Sequence, residues 1–255
     1  MISNFFEIFL LSIIQGVSEF IPVSSAAHLI LASNIYEFKN QSLLIDISLH
    51  LGSLLAILFY FKNDVFNFNK NKNLFYKIII GTIPLIITGY FLYATNIIDY
   101  FRNIKVIAWA TLFFGILLYI ADKNKFLKKI DTDFNMKSIL IIGFFQVLAL
   151  IPGVSRAGIT ITSGRILGFD RTDSTKISFY LSIPALLGAS TLGIKDLFKE
   201  NIDFNLLVLG GGFLSFLFSL ITIKIFFKFI KNFSLNVFVI YRIFLAIILF
   251  YIIYF

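Results

Sequence analysis

The chain contains no cysteine, which excludes disulfides, thiolate nucleophiles and cysteine metal sites. It is also short of charge. Only 14% of its 255 residues are Asp, Glu, Lys or Arg, and there are two histidines, four prolines and one tryptophan. A soluble domain of this length carries more charge than that, so an ordinary globular protein is excluded. Ten-residue segments of alternating hydrophobicity are missing too, which argues against a transmembrane β-barrel. No Lys or Arg precedes the first apolar run, and Glu7 lies inside it. A cleaved signal peptide is therefore not expected.

Apolar residues fill the space these absences leave. They make up 58% of the chain, with 33 Phe, and the mean hydropathy is +0.91. They fall in blocks long enough to cross a bilayer, for which about 20 residues suffice. The expected fold is an all-α polytopic membrane domain spanning residues 1–255, with six spans near 43–61, 74–94, 106–121, 177–194, 206–227 and 236–255. Two more apolar regions, 5–34 and 138–167, are interrupted by Pro22-Val-Ser-Ser and by Pro152-Gly-Val-Ser-Arg. They read as re-entrant helix pairs, because irregular backbone at membrane depth survives only inside protein or beside a wet cavity.

The net charge of +8 lies in short loops between the apolar blocks, a topology signal and not a nucleic-acid footprint. Lys62, Lys70 and Lys72 follow the first span, and Lys123, Lys125, Lys128 and Lys129 follow the third. That basic side is assigned to the cytoplasm, to which Lys224, Lys228 and Lys231 return. Lys195, Lys199, Asp196, Glu200 and Asp203 suit an external loop.

The two interruptions resemble each other. FIPVSSAAHLI at 20–30 aligns with LIPGVSRAGITI at 150–161 with one inserted Gly, and DISLHL at 46–51 with KISFYL at 176–181. Three spans separate the copies, so halves of about 1–125 and 130–255 would have inverted topology. In membrane proteins of that plan a functional site forms where the two breaks meet.

Around the first break stand Gln15, Glu19, Ser24, Ser25 and His28. A carboxylate at the centre of a membrane helix costs about 2.5 kcal/mol or more and defaults to function, although a Glu near the headgroups would be idle. Gln15 and Glu19, four apart, share a helix face. His28 lies three and four residues beyond Ser25 and Ser24, where an imidazole can activate either hydroxyl; one serine is expected only to cap a helix. His50 reads as a packing residue at least as readily as a functional one. At the second break Gly153 frees the backbone, Ser155 and Thr160 offer hydroxyls, and Arg156 is a cation beside a helix N-terminus, a phosphate-binding arrangement. Arg165 and Arg242 read as interface or structural residues.

QGVSEFIPVSSAAH followed by PGVSRAGIT resembles the bacitracin-resistance family of undecaprenyl-diphosphate phosphatases. That family's pattern is Glu or Gln, Glu four residues on, Pro-Val-Ser-Ser with a His, then PGxSRSxxT. The resemblance continues through DISLHLGSLLA and VIYR. It implies hydrolysis of undecaprenyl diphosphate in the bacterial inner membrane to recycle the lipid carrier of cell-wall glycans. Carried over, Gln15 and Glu19 take the acidic-motif positions, Ser25 and His28 the Ser and His positions, and Ser155, Arg156 and Thr160 those of the second motif. Gln15 stands where many members have Glu, and Ala157 replaces the second Ser of SRS.

The expected mechanism has Arg156 hold the diphosphate with Ser155, Thr160 and the helix N-termini, and Ser25 attack. His28 moves protons. Glu19 orients His28, activates water or binds a divalent cation, Mg²⁺ or Ca²⁺; direct attack by water is the alternative. Membrane lipids surround the chain, and a homodimer is left open. A transporter or flippase would share the inverted plan but has no need of a Ser and His set. A non-catalytic lipid-binding or bacitracin-shielding protein has no need of Glu19.

Overall fold

The computed structural model describes residues 2–36, 43–123, 128–197 and 206–254. Among them run twelve α-helices: α1 (Ile2–Ser18), α2 (Ser25–Tyr36), α3 (Leu43–Tyr60), α4 (Lys62–Phe66), α5 (Phe68–Ala94), α6 (Ile104–Lys123), α7 (Ile130–Asp133), α8 (Met136–Val147), α9 (Arg156–Ile166), α10 (Arg171–Leu197), α11 (Leu206–Asn232) and α12 (Asn236–Tyr254). The only β-type pairing among the described residues is an isolated bridge between Lys128 and Phe169. The protein is an all-α polytopic membrane protein.

The six expected spans correspond to α3, α5, α6, α10, α11 and α12, and both apolar regions break where proline and serine interrupt them. By length and composition, four helices among the described residues are suited to crossing a membrane: Asn71–Ala94 of α5, α6, α11 and α12. Their outer faces carry exposed Ile83, Ile87, Trp109, Phe113, Phe213, Ile225, Phe244 and Ile248, as lipid-facing surfaces do. α10 is more polar because it lies inside, with Ser174, Thr175, Ser178 and Ser182 fully buried.

Helices that need not exclude water from each other pack by close approach and by interhelical hydrogen bonds. A Cβ on Gly52 of α3 would sit 2.1 Å from the Gly212 carbonyl oxygen of α11, so the two backbones touch. Ser48 donates to the Val208 carbonyl at 2.6 Å, and Ser215 to that of Leu49 at 2.7 Å. α5 and α8 touch in the same way, Gly143 against Gly81.

One end of the bundle is tied by charge. Asp122 accepts from Arg171 Nε at 2.7 Å and from the Leu235 amide at 3.0 Å, and pairs with Arg165 at 3.3 Å. Lys77 reaches the Phe134 carbonyl at 2.6 Å, Tyr180 reaches Asp64 at 2.6 Å, and Lys129 pairs with Asp170. The basic loops after α3 and α6 thus lie at the same end as the starts of α5 and α10. Lys125, Lys199, Glu200 and Asp203 fall outside the described residues.

Candidate active site

Both breaks are built on one local device. Ser24 and Ser155 adopt positive φ, 80° and 71°, a conformation uncommon for non-glycine residues. Each precedes a helix and turns its hydroxyl onto an amide three residues on, Ser24 Oγ accepting from Ala27 at 3.4 Å and Ser155 Oγ from Gly158 at 3.0 Å. The N-termini of α2 and α9 are thereby capped. The breaks also touch, since the Gly153 amide donates to Ser24 Oγ at 3.3 Å.

Between them lies a buried charge network. Arg156 Nη2 meets Glu19 Oε1 at 2.9 Å, with side chains only 12% and 8% exposed, and Arg156 Nη1 donates to the Ser178 carbonyl at 3.1 Å. The other oxygen of Glu19 accepts from Ser25 Oγ at 2.7 Å and from Gln15 Nε2 at 3.1 Å. The guanidinium also stands over the Phe20 ring, 5.9 Å from its centroid. A desolvated ion pair persists when further hydrogen bonds satisfy both partners, as here.

This network forms the floor of a cavity of about 600 Å³ lined by Glu19, Ser24, Ser25, Ser155 and Arg156. Its walls include Leu85, Ile86 and Gly89 of α5 and Ala185, Leu186 and Gly188 of α10; Tyr90, Tyr93 and Thr191 lie toward the far ends of these helices, beside Arg102 of the segment between α5 and α6. α5 and α10 both start at the basic end, so that rim lies at the opposite end of the bundle. Pro84 and Pro184 fall within the same two helices, just before the wall residues, where each removes a backbone donor.

Not every residue expected at the site reaches the cavity. Gln15 is fully buried and touches it only through Glu19. Gly153 packs against Ile107 and Ala110, where a Cβ would lie 2.6 Å from the Ile107 carbonyl oxygen. Thr160 is fully buried and bonds the Arg156 carbonyl and Ser178 Oγ, both at 2.7 Å, so it braces Arg156 and contacts no cavity space. The largest correction concerns His28. Its Nδ1 donates to the Ser24 carbonyl at 2.6 Å, and its Nε2 bonds Tyr241 Oη at 2.5 Å, with the rings stacked. It therefore lines a separate apolar groove with Val17, Ile21 and Phe238. Helical spacing placed it near both serines, but the ring turns to the Ser24 carbonyl and to Tyr241 of α12, and bonds neither serine hydroxyl.

His50 and Asp46 take the vacated place in the cavity wall. His50 Nδ1 lies 2.7 Å from the Asp46 carbonyl, which can only accept, so Nδ1 donates that bond. Spacing gave no hint of this, because 25 residues separate Ser25 from His50; the offset of DISLHL from the break was the available signal. For a divalent cation the protein offers little: among the described residues no cluster of three or more His, Cys, Asp or Glu side chains forms.

The chain matches the model of a family described as "Bacitracin resistance protein BacA" over residues 8–248. It is 56% identical over 255 residues to a protein of Pelagibacter ubique (strain HTCC1062) named undecaprenyl-diphosphatase, with all of both chains covered. Proteins with the same name from Elusimicrobium minutum (strain Pei191) and Jannaschia sp. (strain CCS1) are 39% and 36% identical, covering 94% and 96% of this chain and 95% and 97% of theirs.

Proposed function

Because the chain belongs to the bacitracin resistance protein BacA family and acts as an undecaprenyl-diphosphatase, we propose that it cleaves the terminal phosphoryl group of its lipid diphosphate at the Glu19–Ser25–Arg156 cluster. The observation that carries this reading is the 2.7 Å bond from the Ser25 hydroxyl to a carboxylate that is itself paired with Arg156. A hydroxyl, the base that accepts its proton and a cation for the phosphoryl oxygens then share one cavity floor.

In the proposed sequence, Ser25 Oγ attacks the terminal phosphorus while its proton passes to Glu19. The anhydride P–O bond breaks and undecaprenyl phosphate leaves with that oxygen. Water, deprotonated by a Glu19 that has returned its first proton to solvent, attacks the phosphoserine; the Oγ–P bond breaks, Glu19 passes the proton to Ser25 Oγ, and inorganic phosphate leaves. Arg156 and the helix N-termini at Ser25 and Arg156 hold the equatorial oxygens throughout. His50 is the imidazole available to the departing lipid phosphate, and Ser24 and Ser155 serve as caps. The prenyl tail lies along the apolar walls of α5 and α10.

A divalent cation, Mg²⁺ or Ca²⁺, belongs to the same proposal only as a partner of the substrate. Glu19 would be its one protein ligand, and the diphosphate would supply most of the oxygens, as is common for Mg²⁺. Such an ion would neutralise phosphate charge. The two interrupted helix pairs are read as re-entrant, the halves as an inverted repeat, and the basic end as cytoplasmic in a bacterial plasma membrane, so the cavity opens outward.

The test uses undecaprenyl diphosphate labelled in its terminal phosphate and purified protein in detergent. Acid quenching during turnover should trap label on wild-type protein and none on Ser25→Ala. Release of phosphate without any labelled protein would assign the attack to water. Failure to release phosphate at all would favour a transporter or a lipid-binding protein.

A further inference from the structure

Arg242 of α12 is fully buried and is not part of the cavity wall. Its guanidinium donates only to carbonyls: Gly153 at 2.8 Å, Val154 at 2.9 Å, Thr111 at 3.1 Å, Pro22 at 3.3 Å and Ala110 at 3.4 Å. Those acceptors belong to the first break, the second break and α6. The arginine also occupies space that two glycines leave open. A Cβ on Gly158 would fall 2.9 Å from its Nη1, and one on Gly115 would fall 3.2 Å from its Cβ.

We propose that Arg242 is a positioning residue for phosphoryl transfer, a clamp behind the cavity that holds the Ser25 break and the Arg156 break in register. The proposal rests on the reading of the Ser25 and Arg156 cavity as the reaction site. In a trans peptide the N–H points opposite the C=O. Drawing the Val154 carbonyl onto the guanidinium therefore turns the Ser155 N–H away from it, just before the N-terminus of α9. The same hand grips Pro22, two residues before Ser24. Beside the Gly153–Ser24 contact and the Glu19–Arg156 pair, the fork of Arg242 holds this alignment through donors in fixed planar geometry that a lysine lacks. Misplacing reacting groups by about 1 Å costs about a hundred-fold in rate.

The experiment compares Arg242→Lys, Arg156→Lys and Arg165→Lys as purified proteins, reading kcat, KM and Tm with undecaprenyl diphosphate. Arg165, tied to Asp122 and the Phe169 carbonyl at the opposite end, is the control for loss of a buried arginine. Arg242→Lys is expected to lower kcat by about a hundred-fold with little change in KM, whereas Arg165→Lys lowers Tm and keeps kcat. Unchanged kcat per folded Arg242→Lys protein, a change confined to KM, or an equal kcat loss in Arg165→Lys would overturn the clamp. If Arg156→Lys is fully active, the reading of the site fails instead; if it is inactive while Arg242→Lys is normal, only the clamp fails. Should Arg242→Lys not fold, Gly115→Ala displaces the side chain without removing its charge. A kcat loss of about ten-fold at constant KM is then expected, and unaltered kcat again overturns the proposal.

Discussion

Ser24 and Ser155 hold the same strained backbone, cap helices in the same way and stand at the same point of two similar segments, yet the chemistry around them is opposite in sign. After Ser24 comes Ser25, a hydroxyl bonded to the Glu19 carboxylate. After Ser155 comes Arg156, a guanidinium paired with the other oxygen of that carboxylate. In the proposed reaction the first break would supply the nucleophile with its base and the second the anion clamp. A pair of similar segments thus provides the scaffold twice, and one residue after each cap decides which half of the reaction it serves.

The sharpest way to break this division is to remove the first break's chemistry. Ser25→Ala or Glu19→Gln should lower kcat by more than about a thousand-fold, read as phosphate release by folded protein; retention of turnover by both would return the reaction to activated water elsewhere. On the second break, Arg156→Lys keeps the charge but loses the planar fork and should lose about 10²–10³ in kcat/KM. Near-normal turnover would remove the clamp.

Smaller effects sharpen the comparison. His28→Phe keeps the ring stacked on Tyr241 and loses both hydrogen bonds, so it should lower Tm while leaving kcat within about ten-fold; a His50→Ala variant measured beside it should show the larger kcat loss. A greater kcat loss in His28→Phe would restore the histidine of the first break to the reaction. Ser24→Ala removes a cap and should cost about 0.5–2 kcal/mol in unfolding experiments with little loss of turnover. Smallest of all, Gln15→Glu should keep most activity, because position 15 meets the cavity only through Glu19. Inactivation there would show that the amide's donation to Glu19 is essential.

Much of the site was legible because its parts are local. Pro22 and Pro152 with the serines after them mark interruptions in apolar blocks, and Glu19 and Arg156 are charges where the membrane makes charge costly. His28 stands elsewhere because helical spacing fixes only the backbone of α2, while its ring turns to the Ser24 carbonyl and stacks on Tyr241 of α12, a partner that only packing supplies. The approach of His50 to the cavity depends on how α3 packs, and Arg242, read as structural, proves to be buried on five carbonyl acceptors that no local pattern gathers.

Hydrophobic block length, loop charge and helix breakers act over a few residues to a few turns, so the sequence by itself determined the all-α membrane class, the six long helices and the two breaks. Which groups meet was decided by tertiary structure. Glu19 and Arg156 are 137 residues apart, and they meet where the two breaks come together, the Pro22 and Gly153 carbonyls of those breaks both bonding Arg242 of α12. Distances of that kind depend on the packing of whole helices, which no local pattern records.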